Sequence, residues 1–407
     1  MSTQSEHTVV VIGAGYAGVI AANRVQASLS PDEARRVRVV MVNSSPDFIE
    51  RVRLHEVAAG TRATAAIPLA DMLHGRVEVI VGTVLEIDAP AREVAIERKV
   101  SFEAGGDVTR ERYDSLVYAV GSVAALGVQG VAEFAHALGD PDGAETARAA
   151  ISAGASDQRI IVVGGGATGV EAAAEFAEQH PAASVTLVSR GAVLGHLPAA
   201  SRRSVARSLD KLGVEIVEGA AVARVHPVAV ELADGTLIGS DVTVWTASFA
   251  VPDLARRSGL EVDAIGRLLV DETLRAPAYP EIFGAGDAVR PPSSVGAHLR
   301  MGCAIAMPIG GHAADNVLAS LRGAELAPLD VGFGAQCISI GRKAGLIQLL
   351  SRADEPRAFR ITGRPAALVK EFVCAVLATG STRRERTRPG SLMLPSGPKR
   401  MPVDTRA

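Results

Sequence analysis

The apolar positions of this chain come in short continuous runs, each closed by glycine or a polar turn, with alanine-rich stretches between them. "TVVVI" near the start is a β-branched run of the kind a parallel strand shows when both its faces are covered. Glycine then recurs at Gly13, Gly15 and Gly18, and an apolar helical stretch follows to about Gln26. "RVRVVMV" predicts a second strand ending at Asn43. The same grammar returns later as "RIIVV", then Gly164, Gly166 and Gly169, then a helix through "EAAAEF" and the strand "SVTLV" before Ser189-Arg190. "YDSLVYAVGS", "SDVTVWTASFAVP" and "YPEIFGAGDAV" each predict a strand closing in a turn, with Gly121 in the first and Gly286-Asp287 in the last. Towards the C-terminus, "APLDVGFGAQCISIGRKAGLIQLL" predicts hairpin strands. "GRPAALVKEFVCAVLATG" predicts a helix with Ala367, Leu368, Phe372 and Val376 towards one side. Strands alternating with helices in this way mark an α/β chain.

The two glycine clusters share the spacing G-x-G-x-x-G, and each sits between a strand and a helix, which makes a dinucleotide site the natural reading. The first glycine permits a tight turn, the second lets a pyrophosphate touch the backbone, and the third lets helix and strand pack closely. Ala14, Tyr16 and Ala17 in the first cluster, and Ala167 and Thr168 in the second, would then lie against the phosphates at a helix N-terminus. A whole domain's length separates the clusters. One site would hold a flavin dinucleotide and the other a nicotinamide dinucleotide. An acid usually ends the strand after such a helix and binds the ribose hydroxyls. Asn43 stands there in the first unit and can bond them without charge assistance. In the second, Ser189-Arg190 can receive a 2′-phosphate, which points to NADPH over NADH; the other reading is a solvated loop arginine.

Composition narrows the class. At 407 residues two or three domains are expected, and 48% apolar content fits a globular protein. One tryptophan, Trp245, and a net charge of −3 argue against a nucleic-acid partner. The cysteines, Cys303, Cys337 and Cys374, are too scattered for a disulfide framework or a zinc site, so no metal is expected and a cytoplasmic setting is. "MSTQSEH" lacks the features of a signal peptide, and no run reaches the roughly 18 apolar residues of a membrane span.

The order of these motifs resembles the pyridine-nucleotide-disulfide oxidoreductase superfamily, and within it the type II NADH dehydrogenase and apoptosis-inducing-factor-like branch. The resemblance rests on Gly13/Gly15/Gly18, "YDSLVYAVGS", "GGGATGVEAAAEF" and "GAGDA", and runs to about residue 375. It implies two Rossmann-like FAD/NAD(P)-binding domains and a small C-terminal α+β portion. The FAD domain would be discontinuous, spanning residues 1–118 and 265–325 around a nicotinamide domain at 119–264, with 326–407 as C-terminal domain and tail. The resemblance implies FAD in the first site, held also by Val84, Ala119, Gly121, Gly286 and Asp287, and NADPH or NADH in the second. It places Glu171 at the nicotinamide–flavin junction; an ordinary helix N-terminal acid is the plainer alternative. Arg51, Arg53 and His55 lie in the segment that passes the flavin, where a cation would stabilise anionic charge, unless they form a solvated face.

Neither nucleotide segment contains a cysteine pair, so dithiol relay chemistry is not expected, and the Phe-x-Gly-x-x-x-His signature of flavin monooxygenases is absent. What remains is hydride transfer from NAD(P)H to FAD and on to a small acceptor, quinone-like by family default. Two readings stand beside it, a tailoring enzyme for a non-quinone substrate and a nucleotide-sensing flavoprotein. The family's Ala-x-x-Gln-Gln-Gly segment reads here with Pro308-Ile309 in place of the glutamines, which weakens the quinone expectation. Nearby Cys303 is either a reactive thiol or a small buried hydrophobe, and His298 and His312 are candidate proton relays or structural histidines. The C-terminal helix lacks a strong aromatic anchor. The basic, proline-rich tail leaves room for a weak peripheral contact with an anionic membrane, for a dimer face, or for a segment that wraps the body.

Overall fold

The structure is a computed structural model that describes residues 7–98, 107–391 and 395–399. The polar residues before His7 and the last part of the basic tail lie outside the described residues. The opening strand, His7–Ile12, runs parallel between Val37–Asn43 and Ser115–Tyr118. Tyr279–Gly284 continues the sheet beyond Ser115–Tyr118. Glu78–Asp88 joins parallel to Val37–Asn43, and Glu93–Arg98 and Val108–Arg112 follow it as an antiparallel meander. The chain therefore leaves this eight-stranded sheet after Tyr118 and re-enters it at Arg275–Ala276.

Between those points lies a second, all-parallel sheet with Arg159–Val163 flanked by Ser184–Val188 and Val242–Trp245. These are two Rossmann-like domains, and their central strands are continuous apolar runs because helices cover both faces. Val9, Val10, Val11, Ile160 and Val162 are fully buried. Helix Tyr16–Ser28 packs on helix Cys303–Leu321 so closely that a Cβ at Gly310 would lie 2.7 Å from the Ala17 Cα. A short helix from the first part of the chain, Leu54–Ala59, buries Leu54, Val57, Ala58 and Ala59 in the core of the second domain.

The C-terminal portion is an antiparallel sheet of Ala335–Ile340, Ala344–Leu350 and Pro356–Thr362, backed by helix Arg364–Phe372. That helix continues as a wider turn of helix over Val373–Gly380. Its expected apolar side faces outward, with Leu368 73% and Phe372 54% exposed, while Ala366, Lys370, Cys374 and Ala378 face the body. The tail as far as it is described wraps the protein. Glu385 is fully buried against Arg24, the Gly332 amide donates to the Pro395 carbonyl, and the Gly397 amide donates to Asp330. No helix among the described residues is long and apolar enough to cross a membrane.

Candidate active site

In each Rossmann-like sheet a glycine turn follows the strand whose neighbours lie on opposite sides, the crevice where open α/β sheets take their ligands. The glycines of the two turns divide their work alike. Gly13 holds φ at +97°, and a Cβ on it would fall 2.5 Å from the Ala119 carbonyl oxygen; one on Gly18 would collide with the Gly13 carbonyl. Gly15, between them, faces nothing within 4 Å. In the second turn Thr246 crowds Gly164 and the Gly164 carbonyl crowds Gly169, while Gly166 again faces open space. Neither following helix, Tyr16–Ser28 or Ala167–Gln179, has a side-chain cap or an acid in its first turn. Their first N–H groups and positive ends are left for a ligand, so each cradle fits a pyrophosphate-bearing cofactor.

The surrounding residues differ in employment from what the motifs alone suggest. Asn43 braces the first turn: its Oδ1 accepts from the Ala14 amide at 3.0 Å and its Nδ2 donates to the Ser45 carbonyl at 2.8 Å. An amide can do both, whereas a carboxylate there could not donate. Val84 lies past Val81, the register partner of Asn43, where its strand runs beyond the end of Val37–Asn43. Ser189 is buried with its hydroxyl against Gly165, and Arg190 beside it is exposed, without an ion pair among the described residues.

Asp287 joins three parts of the first site. Its Oδ2 accepts from the Ser122 hydroxyl and its Oδ1 from the Gly302 amide, both at 2.8 Å. The first bond holds the turn after Gly121, and the second holds the start of helix Cys303–Leu321. Gly286 carries φ +78° and packs near Ala17. Within the helix, Pro308 is half-buried and Ile309 is buried, so neither offers the amide donors of a glutamine. Pro308 also lacks the N–H that would reach the Ala304 carbonyl. His298 and His312 bond the Val331 and Ala327 carbonyls, as structural histidines do.

Arg53 is buried, with its terminal nitrogens on Glu56 at 2.7 Å and on Glu371, while its Nε has no hydrogen-bond partner among the described residues. Arg51, exposed two residues before it, donates to the Ser122 carbonyl. Cys303 is half-buried at the start of helix Cys303–Leu321. Burial pushes its thiol up to about 11 in spite of Lys370 nearby, so it is neutral at physiological pH.

Glu171 enters a buried cluster that sequence reading did not assemble. Its Oε1 meets Lys370 Nζ at 2.9 Å and accepts from the Ser339 amide at 3.0 Å and the Ser339 hydroxyl at 3.2 Å. Burial opposes charge on both partners. Lys370 and His55 nevertheless hold the Glu171 carboxyl below its ordinary value, and Glu171 holds the Lys370 ammonium above its own. His55 lies against this cluster, and burial lowers its pKa. The overlooked signal was Lys370-Glu371 itself, a charged pair inside an otherwise apolar helical stretch.

The comparisons agree with this architecture. A family profile described as pyridine nucleotide-disulphide oxidoreductase matches residues 7–302. An NADH dehydrogenase-like protein of Mycobacterium tuberculosis is 31% identical over 360 residues, 82% of this chain and 85% of the relative. A type II NADH:quinone oxidoreductase of the same organism is 30% identical over 69% of this chain and 66% of its own length. In fold, the sulfide:quinone oxidoreductase of Aquifex aeolicus superposes with a TM-score of 0.75 at 20% identity, covering 94% of this chain and 93% of that one.

Proposed function

We propose that this chain, which belongs to the pyridine nucleotide-disulphide oxidoreductase family and is a flavin- and nicotinamide-dependent oxidoreductase, binds FAD in its first cradle, takes hydride from NAD(P)H at the second and passes it to a small acceptor. A quinone-like acceptor accords with its relatives. Residues 1–118 and 265–325 serve the FAD, 119–264 the nicotinamide, and 326–407 are the C-terminal domain and basic tail. The observation that carries this reading is the duplicated cradle, two uncapped helix N-termini behind glycine turns of one design.

A bound flavin supplies the two-electron chemistry between donor and acceptor. The chain's residues supply the rest. Gly15 and Gly166 admit the pyrophosphates, and Asp287 fixes the start of helix Cys303–Leu321 against the cofactor. Lys370 holds a proton at Nζ for the acceptor atom that gains charge, and Glu171 with Ser339 keeps that ammonium charged in a buried place. Exposed Arg190 favours NADPH through the 2′-phosphate. The exposed Leu368, Phe372 and Leu377, flanked by Arg364, Arg383 and Arg384, suit a weak contact with an anionic membrane surface. Pro308-Ile309 favours a second reading, an acceptor other than quinone, because that wall lacks amide donors.

The test is an anaerobic acceptor panel of quinones, disulfides and oxygen on the NAD(P)H-reduced holoenzyme. Turnover on a quinone that falls sharply in Lys370→Met supports the proposal. Slow, unproductive reduction by both nucleotides would make the protein a sensor instead.

A further inference from the structure

Helix Arg364–Phe372 carries Lys370 and Glu371 side by side, and the two reach different parts of the molecule. Lys370 meets Glu171 on the helix of the second cradle at 2.9 Å. Glu371 takes both terminal nitrogens of Arg53, with Nη1 at 2.6 Å, from the segment that follows the second strand of the first sheet. Arg53 is only 3% exposed and is anchored from behind by Glu56, on the short helix wedged into the second core. Arg342 braces the same group, with Nε 2.8 Å from Glu175 and Nη2 3.1 Å from Glu56. A guanidinium gripped through two nitrogens fixes angle as well as distance. Neighbouring residues stand about 100° apart around a helix, so two clamps on them fix its rotation too.

We infer that Arg53 is a positioning residue, which through Glu371 sets the rotation of helix Arg364–Phe372 and thereby seats the Lys370 ammonium on Glu171. This rests on the reading of Lys370 as the proton donor. Without the clamp the helix turns or lifts, and Lys370 leaves its partner while the glycine cradles stay as they are. The acceptor step suffers and the nicotinamide step does not.

The experiment compares Arg53→Met, Arg53→Lys and Glu371→Gln with Lys370→Met in the full-length holoenzyme. Reduction of bound flavin by NAD(P)H should stay within about twofold, while the acceptor step slows about a hundredfold, as misplaced catalytic groups do. Its alkaline limb should move to lower pH, because a displaced Lys370 loses the support of Glu171. Arg53→Lys, which keeps the charge but not the fork, should recover part of the rate. In the flavin-free protein, amides of residues 364–372 should exchange faster in Arg53→Met. If Arg53→Met does not fold, Glu371→Gln, altered at a half-exposed carboxylate, carries the same test. An acceptor step and pH profile unchanged by these variants, with Lys370→Met slow, would overturn the inference alone. An acceptor step untouched in Lys370→Met would overturn the proton-donor reading first.

Discussion

Replacing Glu56 with Gln removes the carboxylate on which three guanidinium groups converge. Its Oε1 lies 2.7 Å from Arg53 and 3.1 Å from Arg342, and its Oε2 lies 2.9 Å from Arg62. Burial pushes its pKa up, yet the bonds from Arg53 and Arg62 and the fields of His55 and Arg53 hold it at about 2 against an ordinary 4.5. That depression corresponds to about 3 kcal/mol, at about 1.36 kcal/mol for each tenfold change in the proton-binding constant. Because the folded pKa lies below the unfolded one, this stability is complete above about 4.5 and fades as pH falls towards 2. Near pH 3 about 1 kcal/mol of it survives by the same linkage. Urea denaturation of both proteins, followed by the fluorescence of Trp245, the single tryptophan and buried in the second sheet, measures the gap. It should be about 3 kcal/mol near neutrality and shrink by more than half near pH 3. A gap of constant size across that range would refute the electrostatic account and assign the loss to packing.

The two middle glycines and their packing neighbours should separate binding from stability. Gly166→Ala, whose Cβ meets nothing in the protein, should raise KM for the nicotinamide nucleotide without lowering the melting temperature. Gly169→Ala drives a Cβ into the Gly164 carbonyl and should cost about 1–3 kcal/mol by thermal unfolding. Arg190→Glu should move preference towards NADH, and an unchanged NADPH-to-NADH ratio of kcat/KM would remove the 2′-phosphate argument. Glu385→Ala leaves Arg24 buried with Asp315 as its remaining acidic partner among the described residues and should cost about 3–5 kcal/mol in thermal unfolding; a loss under about 1 kcal/mol would mean the tail adds little.

What could be read in advance was what depends on backbone and short-range pattern. The paired turns and the strands before them follow from local sequence, and the return of the chain to its first sheet followed from the family resemblance; the tie that Asp287 makes between Ser122 and Gly302 did not show there. Asn43, Arg53 and Lys370 did not yield in this way. Asn43 serves the Ala14 amide, and Arg53 and Lys370 are assigned by partners far along the chain, Glu371 and Glu171. A side chain that reaches its partner across a domain boundary carries no mark in the sequence around it. The C-terminal helix shows the same limit. Its periodicity was legible, but which side faced inward depended on Glu171 being there to receive Lys370.

The two cradles are so alike that the functional difference must come from what covers their helices. Position by position, Ile20 in the first helix matches Glu171 in the second, each two residues after the third glycine. Ile20 is fully buried in the apolar core of the first domain, whose helix packs on Cys303–Leu321. Glu171 is buried as well, but Ser339 and Lys370 of the C-terminal portion complete it. Four residues further on, Arg24 matches Glu175, and both are neutralised by that same portion, Arg24 by Glu385 and Glu175 by Arg342. Unpaired, such buried charges would each be strongly destabilising. The C-terminal segment therefore does two jobs with one set of contacts. It makes the charged helices tolerable inside the fold, and in doing so it brings the buried Lys370 ammonium onto Glu171, where the proposed function uses it.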